Sequence, residues 1–384
     1  MNPFRVALFT GNYHHIRDGV SLTLNRWVRY LESRGVEVLV FGPEVKKPAL
    51  EHQGRLVGLP SMPAPGRPEY RLSLCFPPAA KRELRKFKPD LVHIATPDIP
   101  GFAALKWALK SGCPAVSSYH THFPSYLKYY SLQWLESAGW RYLRWFYRHC
   151  DQVYVPSQSM VDVLNEHGVE TDFRIWARGV ETSLFHPGQR SEKWRTEQGF
   201  DPGDVVVTFV SRLVWEKNLN IFATAVSRVS DREAGVKAMV VGDGPAREQL
   251  RTEHLPTAHF TGFLEGEELA RAYANSDIFL FPSDTETFGN VTLEAMASGL
   301  PCVVADATGS KSLVEEGVNG YLVPVNKPDM FAERVEMLAR DGELRKKMGK
   351  KSLEFSETYS WDRINANLLD CYREVGGLRL DDVN

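Results

Sequence analysis

The chain has 384 residues, of which 43% are hydrophobic, and its 46 Lys or Arg nearly balance its 48 Asp or Glu. A chain of this length and apolar content is expected to form about two domains. The sequence contains no run of about 18 or more apolar residues, so no transmembrane helix is predicted. Its five cysteines are scattered singly and its first residues lack a signal-peptide pattern, so reduced thiols and a cytoplasmic location are expected.

The charge is distributed unevenly along the chain. Residues 1–190 contain 24 Lys or Arg and 16 Asp or Glu, which gives +8, whereas the remainder contains 22 and 32, which gives −10. Two interpretations stay open: the first half faces an anionic partner, or the two halves simply differ in isoelectric point. We predict no nucleic-acid partner.

Short apolar runs alternate with segments of helical periodicity throughout the sequence. In the first half the runs read RVALFT, VEVLVFG, DLVHIAT, PAVSSYH and QVYVPS. In the second half they read VVVTFVS, KAMVVGDG, HFTGF, IFLFPS and PCVVAD. Strands of this length that alternate with helices predict parallel βαβ units with helices on both faces of the sheet.

The pattern restarts near residue 204, after a passage within residues 178–200 that is rich in turn formers. We therefore predict two doubly wound α/β domains, residues 1–178 and residues 179–360. Ligands of such sheets bind at the carboxyl ends of the strands. The predicted site is accordingly a cleft between two facing sheets.

Two glutamates flank a predicted turn between a strand and a helix. The strand IFLFPS is followed by Glu286, by the turn Phe288–Gly289, and by a helix that contains Glu294 and has Asn290 as its predicted N-cap. The amides of the first helical turn form an anion site suited to a diphosphate, and a carboxylate accepts hydrogen bonds from a vicinal diol. A nucleotide sugar has a diol on each side of its diphosphate. The alternative is an acidic loop with a solvated glutamate.

Two cations follow the first strand of the second half. Arg212 and Lys217 come just after VVVTFVS, where they would neutralise a diphosphate and stabilise the charge that develops on it as a leaving group. The alternative is a pair of surface cations on a loop. The later stretch VVGDGPAREQL has Arg247 where a dinucleotide fingerprint requires its third glycine, which argues against a NAD-dependent dehydrogenase.

The stretches SRLVWEKNL, VVGDGP, FTGFL and ETFGNVTLEAMASGLPCVV, in this order and spacing, resemble retaining glycosyltransferases of family 4. The resemblance covers nearly the whole chain and implies the GT-B fold, two facing Rossmann-like domains with an interdomain cleft. It also implies that a C-terminal helix, residues 361–384, crosses back onto the first domain. The stretch SYHTHFPSYLKYY is similar to the sulfolipid synthase and diacylglycerol or phosphatidylinositol mannosyltransferase branch.

The resemblance implies roles for the residues of the second domain. Glu286 would hold hydroxyls of the donor sugar and Glu294 the ribose, while Arg212 and Lys217 would bind the diphosphate. Backbone contacts to the donor are implied for Phe288, Gly289, Asn290 and Val291.

Three residues of the first domain are implicated by the same resemblance. Gly19 would let the chain pass close to the donor phosphate, Asp18 would face the acceptor, and His120, at the end of a predicted strand, would contact the donor hexose. Many members of the family have two glycines where this chain has Asp18 and Gly19. A purely structural histidine is the alternative for His120.

The family implies transfer by front-face attack, in which the leaving phosphate accepts the proton of the acceptor hydroxyl. No DxD metal motif occurs, so neither a divalent ion nor another cofactor is expected. The predicted activity is transfer of a hexose from a UDP- or GDP-linked sugar to an acceptor hydroxyl. The base and the hexose stay open, and the alternatives are a nucleotide-sugar epimerase, a phosphorylase, or a non-catalytic nucleotide-sugar or glycan-binding module.

Two basic segments bear on the acceptor. Residues 126–148 contain nine aromatic residues and four Lys or Arg, and Arg141, Arg144 and Arg148 share a predicted helical face. Tyr and Trp beside cations suit a membrane interface, and the five cations of residues 81–88 suit an anionic-lipid surface. We therefore predict a lipid acceptor such as diacylglycerol or a glycolipid, and a peripheral enzyme on the inner face of the cell membrane. The alternatives are an aromatic-rich core helix with a solvated basic face, and a soluble sugar acceptor.

Overall fold

The computed structural model describes residues 3–65, 67–120, 134 and 136–377. The chain forms two compact units, Met1–Trp176 together with Ile364–Asn384, and Ala177–Arg363. We refer to them as unit 1 and unit 2. Each is built on its own parallel sheet.

Unit 1 contains a seven-stranded sheet in which every neighbouring pair of strands is parallel. The strands of this sheet are β1 (Arg5–Phe9), β2 (Glu37–Pro43), β3 (Arg55–Leu59), β6 (Leu91–Ile94), β7 (Ala115–Ser118), β8 (Gln152–Val155) and β9 (Phe173–Ile175). The strands β4 (Ser61–Ala64) and β5 (Arg67–Ser73) form a separate antiparallel hairpin. The spatial order is β3-β2-β1-β6-β7-β8-β9. The order reverses between β1 and β6, and a crevice for ligands is expected at such a switch point.

Among the described residues of unit 1, five helices connect these strands: α1 (Gly19–Glu32), α2 (Pro78–Phe87), α3 (Ile99–Ser111), α4 (Glu136–Tyr147) and α5 (Gln158–Glu166). Several begin at a residue type that accepts hydrogen bonds from the first amides of a helix. Asp98 caps α3 by accepting from the amide of Gly101, and Ser157 caps α5 by accepting from the amide of Met160. The sequence thus sets where these helices begin.

Unit 2 contains a six-stranded sheet that is also parallel throughout. Its strands are β10 (Val205–Val210), β11 (Val236–Val241), β12 (His259–Gly262), β13 (Ile278–Phe281), β14 (Cys302–Ala305) and β15 (Gly320–Val323). They are ordered β12-β11-β10-β13-β14-β15. The reversal therefore lies between β10 and β13, whose carboxyl ends adjoin.

The helices of unit 2 are α6 (Glu192–Glu197), α7 (Leu219–Arg232), α8 (Arg247–Gln249), α9 (Gly266–Ala274), α10 (Asn290–Ala297), α11 (Pro328–Arg340) and α12 (Gly342–Ser356). Every residue of β10, β13 and β14 is buried, as expected of strands that are covered by helices on both faces. The prediction of two doubly wound α/β domains is confirmed.

A last helix, α13 (Trp361–Gly376), begins in unit 2 and belongs to unit 1 from Ile364 onward. Its buried residues include Leu368, Leu369 and Tyr372. The indole Nε1 of Trp27, on α1, donates a hydrogen bond of 3.0 Å to the hydroxyl of Tyr372. The end of the described chain thus packs in the same unit as its beginning.

Candidate active site

The switch point of unit 2 brings a lysine and a glutamate into direct contact. Lys217 closes a short 3₁₀ helix (Trp215–Lys217) in the loop after β10, and Glu286 lies in the loop after β13. Lys217 Nζ lies 2.5 Å from Glu286 Oε1 and 3.1 Å from Thr285 Oγ1. Both side chains of the ion pair are about four-fifths buried, with 20% and 21% of their surface exposed. Two of the predicted donor-binding residues are therefore paired across adjoining strand ends.

Asn218 holds the two loops together beside this pair. Its backbone has a φ of 55°, a left-handed conformation that Asn tolerates better than most residues. From there its side-chain amide donates to Pro282 O at 2.9 Å and to Asp284 Oδ1 at 3.2 Å. The hydrogen bonds of Asn218, the residue after Lys217, thus hold the Lys217 loop against the Glu286 loop.

The helix α10 starts immediately after the Glu286 loop. Its N-cap is Gly289, with a φ of 98°, and Asn290 is the first helical residue, so the expectation that Asn290 is the N-cap is wrong. No side chain in the part of the chain that the structure describes caps this helix. The amides of Thr292 and Leu293 donate to the carbonyl oxygen of Gly289, which leaves those of Asn290 and Val291 for an anion. The helix dipole favours negative charge there.

Two glycines are required by close packing around this helix start. A Cβ on Gly289 would lie 2.9 Å from Ser310 Oγ, and a Cβ on Gly309 would lie 2.6 Å from the carbonyl oxygen of Glu286. Both have φ values in the left-handed region. The loop after β14 consequently fits against the backbone of Glu286 and of Gly289.

Glu294 lies one turn inside α10 and is only partly exposed. The hydroxyl of Tyr273 donates to Glu294 Oε2 at 3.1 Å and also lies 3.2 Å from the carbonyl oxygen of Val291. Burial raises the pKa of Glu294 to about 7, although the hydrogen bond from Tyr273 opposes this rise. This carboxyl group therefore titrates near neutral pH, where an ordinary glutamate is fully ionised.

Arg212 lies in the same loop as Lys217 but is exposed. The adjoining backbone is fixed by Leu213, whose amide donates to the carbonyl oxygen of Asp243 at 2.9 Å. Gly242 and Gly244 have positive φ values, and a Cβ on either would clash with the backbone of this loop. The glycines of GDGP thus support the Arg212 loop. The structure brings Lys217 to Glu286, and it leaves the Arg212 side chain at the surface.

The backbone positions Phe288, Gly289, Asn290 and Val291 all lie at the start of α10 or one or two residues before it. The side chain of Phe288 is buried and packs against Tyr359, with ring centroids 5.9 Å apart. This contact anchors the turn that precedes α10. The stretch that is predicted to bind the donor is thus anchored at Phe288.

In unit 1, Asp18 caps a helix. It is the N-cap of α1, whose first residue is Gly19. Asp18 Oδ1 accepts from the amide of Ser21 at 2.8 Å, and Oδ2 accepts from Asn12 Nδ2 at 2.9 Å. The predicted acceptor residue therefore has both carboxylate oxygens engaged within its own loop.

His120 lies two residues beyond β7 and is buried, with 7% of its surface exposed. Its Nε2 lies 2.8 Å from Ser118 Oγ, and its ring packs edge-on against Trp176 at 5.1 Å. Ser118 Oγ in turn lies 2.9 Å from Nε2 of His93, which is fully buried. Sequence reasoning missed His93, although a histidine inside the apolar run DLVHIAT is the signal that could have revealed it.

The segment 126–148 lies partly outside the described residues, since residues 121–133 and 135 are not described. In helix α4 most aromatic side chains face the core: Trp140, Phe146 and Tyr147 are buried. Trp134, which is also described, is 74% exposed. Arg141 and Arg148 are exposed, and Arg144 donates to the carbonyl oxygen of His167 at 2.9 Å. Helix α4 thus matches the alternative of a core helix with a basic outer face, whereas Trp134 does not.

The second basic segment keeps its charges at the surface. Only Ala80 and Leu84 of α2 are buried. The five exposed cations of this segment are Lys81, Arg82, Arg85, Lys86 and Lys88. Within the described residues, no helix is both long and apolar enough to cross a membrane.

Comparison with known proteins identifies the family. A model of glycosyltransferase family 4 matches residues 17–184, and a model of glycosyl transferases group 1 matches residues 190–355. The chain is 34% identical over 370 residues to the sulfoquinovosyl transferase of Arabidopsis thaliana, an alignment that covers 94% of this chain and 71% of that protein. The chain belongs to glycosyltransferase family 4.

Two further relatives agree with this assignment. A GDP-mannose-dependent alpha-mannosyltransferase of Corynebacterium glutamicum is 32% identical, with 98% of this chain and 90% of the relative covered. An alpha-monoglucosyldiacylglycerol synthase of Streptococcus pneumoniae is 27% identical, with 83% and 75% covered. The predicted family and branch are confirmed, and this family 4 protein is a glycosyltransferase.

Solved structures support the fold. A sucrose-phosphate synthase from Thermosynechococcus elongatus superposes with a TM-score of 0.77 at 20% identity, over 97% of this chain and 99% of that one. The Anabaena protein HepE in complex with UDP gives a TM-score of 0.74 at 19% identity, over 97% and 100%. The GT-B fold of this glycosyltransferase is thereby confirmed.

Proposed function

We propose that this glycosyltransferase moves a hexose, with retention of configuration, from a UDP- or GDP-linked sugar to a hydroxyl of a membrane lipid such as diacylglycerol or a glycolipid. The observation that carries the proposal is the contact between Lys217 and Glu286 at the switch point of unit 2, directly before the uncapped start of α10. A cation, a carboxylate and a helix N-terminus at one strand edge suit the diphosphate and the hydroxyls of a nucleotide sugar.

The diphosphate would be bound by the amides at the start of α10 together with Lys217 and Arg212. The ammonium group of Lys217 has three N–H donors, and two of them point to Glu286 and Thr285. The third is left for a phosphate oxygen. Glu286 would hold Lys217 in place and accept from hydroxyls of the sugar.

Glu294 would accept hydrogen bonds from the ribose hydroxyls. Since its pKa is about 7, a carboxylate at this position is formed only as the pH rises through neutrality. A diol donates to a carboxylate more strongly than to a neutral carboxyl group. Donor binding would accordingly strengthen as the pH rises from 6 to 8.

Transfer would follow from positioning and from stabilisation of the leaving diphosphate. Arg212, Lys217 and the α10 amides would stabilise its charge, and its phosphate oxygen would accept the proton of the incoming hydroxyl. In unit 1, His120 would contact the hexose, Gly19 would approach the phosphate, and no divalent metal ion would take part. Asp18 would shape the acceptor loop by capping α1.

Three observations support a lipid acceptor. The relative from Streptococcus pneumoniae is a monoglucosyldiacylglycerol synthase. The four cations of α2 and the adjoining Lys88 are exposed. In the hairpin before α2, Met62 pairs with Leu72 across the strands, and these side chains are 46% and 50% exposed. Apolar side chains near cations suit insertion at an anionic membrane surface. We therefore place the enzyme, as a peripheral protein, on the inner face of the cell membrane.

Binding of UDP, GDP and ADP, each tested by thermal shift, identifies the donor base. A ligand at about 100 times its Kd stabilises a protein by about 2.7 kcal/mol, so we expect a clear rise in Tm with UDP or GDP and a smaller one with ADP. Failure of all three nucleotides to raise Tm contradicts the donor site.

Transfer is then measured with the identified sugar nucleotide and vesicles that contain diacylglycerol, with and without a chelator. We expect an α-linked glycolipid product, read from the anomeric proton, at a rate that the chelator leaves unchanged. Donor conversion without an acceptor would indicate an epimerase, and a requirement for inorganic phosphate would indicate a phosphorylase. Transfer to a soluble sugar but not to lipid would favour the soluble acceptor.

A further inference from the structure

A chain of hydrogen bonds runs through unit 1 to His120. Trp27 Nε1 lies 3.0 Å from the hydroxyl of Tyr372, which lies 2.5 Å from His93 Nδ1. His93 Nε2 lies 2.9 Å from Ser118 Oγ, which lies 2.8 Å from His120 Nε2. We call this chain of five residues the histidine relay.

The relay has a defined direction because it starts at an obligatory donor. An indole nitrogen donates a hydrogen bond and never accepts one. The hydroxyl of Tyr372 therefore accepts from Trp27, and its own proton is directed at His93 Nδ1. Burial raises the pKa of Tyr372 far above its usual range, so this proton stays on the hydroxyl.

The same donor-to-acceptor order continues at His93. A neutral imidazole has one donor and one acceptor, and complete burial lowers the pKa of His93 to about 3, which keeps the ring neutral. Because Nδ1 accepts from Tyr372, the proton of His93 lies on Nε2 and is donated to Ser118 Oγ. The Ser118 hydroxyl, having accepted one hydrogen bond, donates its own proton to His120 Nε2.

We propose that the histidine relay holds His120 as the neutral tautomer with its proton on Nδ1, so that the ring is kept in one protonation form and one orientation. Ser118, His93 and Tyr372 are then positioning residues, which act on the reaction only through His120. The role toward a ligand rests on the proposed function, in which His120 contacts the donor hexose.

Packing supports a single orientation of the two rings. His93 lies among aromatic rings, with centroids of Tyr154 and Trp176 each 5.7 Å away. Trp176 also lies 5.1 Å from the His120 ring. One indole thus contacts both histidines of the relay, and a ring flip of either would disturb the same packed group.

The tautomers are measured directly by nitrogen-15 NMR of histidine-labelled protein, with the His120 signal assigned by its loss in His120→Gln. We expect the Nδ1–H form for His120 and the Nε2–H form for His93. In Ser118→Ala we expect His120 to become a mixture of tautomers while His93 is unchanged. Observation of the Nε2–H form for His120 in the wild-type protein overturns the inference, as does an unchanged His120 signal in Ser118→Ala.

Kinetics separate a positioning role from a structural one. We expect Ser118→Ala to lower kcat roughly threefold to tenfold, the effect of one net hydrogen bond, with the Kd for UDP or GDP alone unchanged. Ser118→Thr retains the hydroxyl and should restore kcat. The matched control is Tyr154→Phe, because Tyr154 is equally buried beside His93 but its hydroxyl lies 3.3 Å from Gln152 Oε1, outside the relay.

The two readouts distinguish this inference from the proposed function. Absence of transfer by the wild-type protein contradicts the proposed function, while the NMR measurement still decides the tautomer. A wild-type kcat in Ser118→Ala, together with a changed His120 signal, overturns the positioning role.

Discussion

At the scale of single residues, the ion pair between Lys217 and Glu286 offers the most direct test of the donor site. If Lys217 stabilises the leaving diphosphate and Glu286 holds both Lys217 and the sugar, removing either loses a preorganised interaction with the transition state. We expect Lys217→Ala and Glu286→Ala each to lower kcat/KM about a hundredfold or more, equivalent to at least about 2.7 kcal/mol. Steady-state kinetics with the identified donor measures this.

Lys237→Ala is the control for this experiment. Lys237 is a lysine of the same unit, on β11, whose Nζ lies 3.2 Å from the carbonyl oxygen of Ala234. It is expected to retain wild-type turnover. Near-wild-type turnover by Lys217→Ala or by Glu286→Ala removes the role assigned to that residue.

Glu294 makes stability depend on pH in a direction that can be stated in advance. Burial raises its pKa from 4.5 to about 7 in the folded protein, so between these values the folded state binds more protons than the unfolded state. The stabilising effect of the protonated carboxyl is therefore present below pH 4.5 and is lost as the pH rises through 7, by at most about 1.4 kcal/mol per pH unit.

Glu294→Gln, which resembles the protonated form at every pH, tests this dependence. As the pH rises from 5 to 8, the free energy of unfolding in urea should increase for this variant relative to the wild-type protein. Its Kd for the nucleotide at pH 8 should be higher than that of the wild-type protein. A constant difference in unfolding free energy between the two proteins across this range contradicts a raised pKa.

At the scale of elements, the start of α10 depends on a glycine for two separate reasons. Gly289 has a φ of 98°, and a Cβ there would also meet Ser310. Gly199 has a φ of 84° with nothing within 4 Å of an added Cβ. Gly199→Ala therefore measures the conformational effect alone, about 1 to 2 kcal/mol.

We expect Gly289→Ala to lower the free energy of unfolding by more than Gly199→Ala does, because its Cβ also displaces the Ser310 loop. It should also weaken nucleotide binding, which Gly199→Ala should leave unchanged. Both are measured by urea unfolding and by thermal shift with the nucleotide. Equal losses of stability would show that the Ser310 loop yields without a measurable effect.

The sequence was sufficient to predict several elements, but it was not sufficient to predict contacts between residues far apart in the chain. The strands IFLFPS and VVVTFVS were predictable because uninterrupted apolar runs indicate buried parallel strands, and Lys217 and Glu286 followed from their places after those strands. The hydrogen bond between His93 and Tyr372 joins residues 279 positions apart, and no local pattern indicates such a pair. The capping role of Asp18 was locally readable, since Asp precedes the helix that begins at Gly19.

At the scale of the whole molecule, membrane binding is predicted to depend on where the charge lies rather than on how much there is. Each Lys or Arg near an anionic surface contributes about 1 kcal/mol, and salt screens this attraction. We expect the protein to sediment with anionic vesicles at low salt. Replacing Lys81, Arg82 and Arg85 together by Gln should release most of it into the supernatant.

A variant with the same net charge is the control. Lys346, Lys347 and Lys350 are exposed on α12, in unit 2, and their joint replacement by Gln should leave sedimentation unchanged. Equal losses for the two triple variants would indicate attraction by net charge alone. A wild-type protein that stays in the supernatant at low salt favours a soluble acceptor.

The path of the chain through the two units has a consequence for synthesis. Unit 1 is discontinuous in sequence, since it combines Met1–Trp176 with Ile364–Asn384. The histidine relay shows this, because Tyr372 comes from the second segment and the relay's other residues lie before residue 121. A ribosome must therefore produce all of Ala177–Arg363 before the first Rossmann-like sheet receives its final helix. Until then the apolar surface of unit 1 on which α13 packs stays exposed on the nascent chain, where it is open to aggregation or to binding by chaperones.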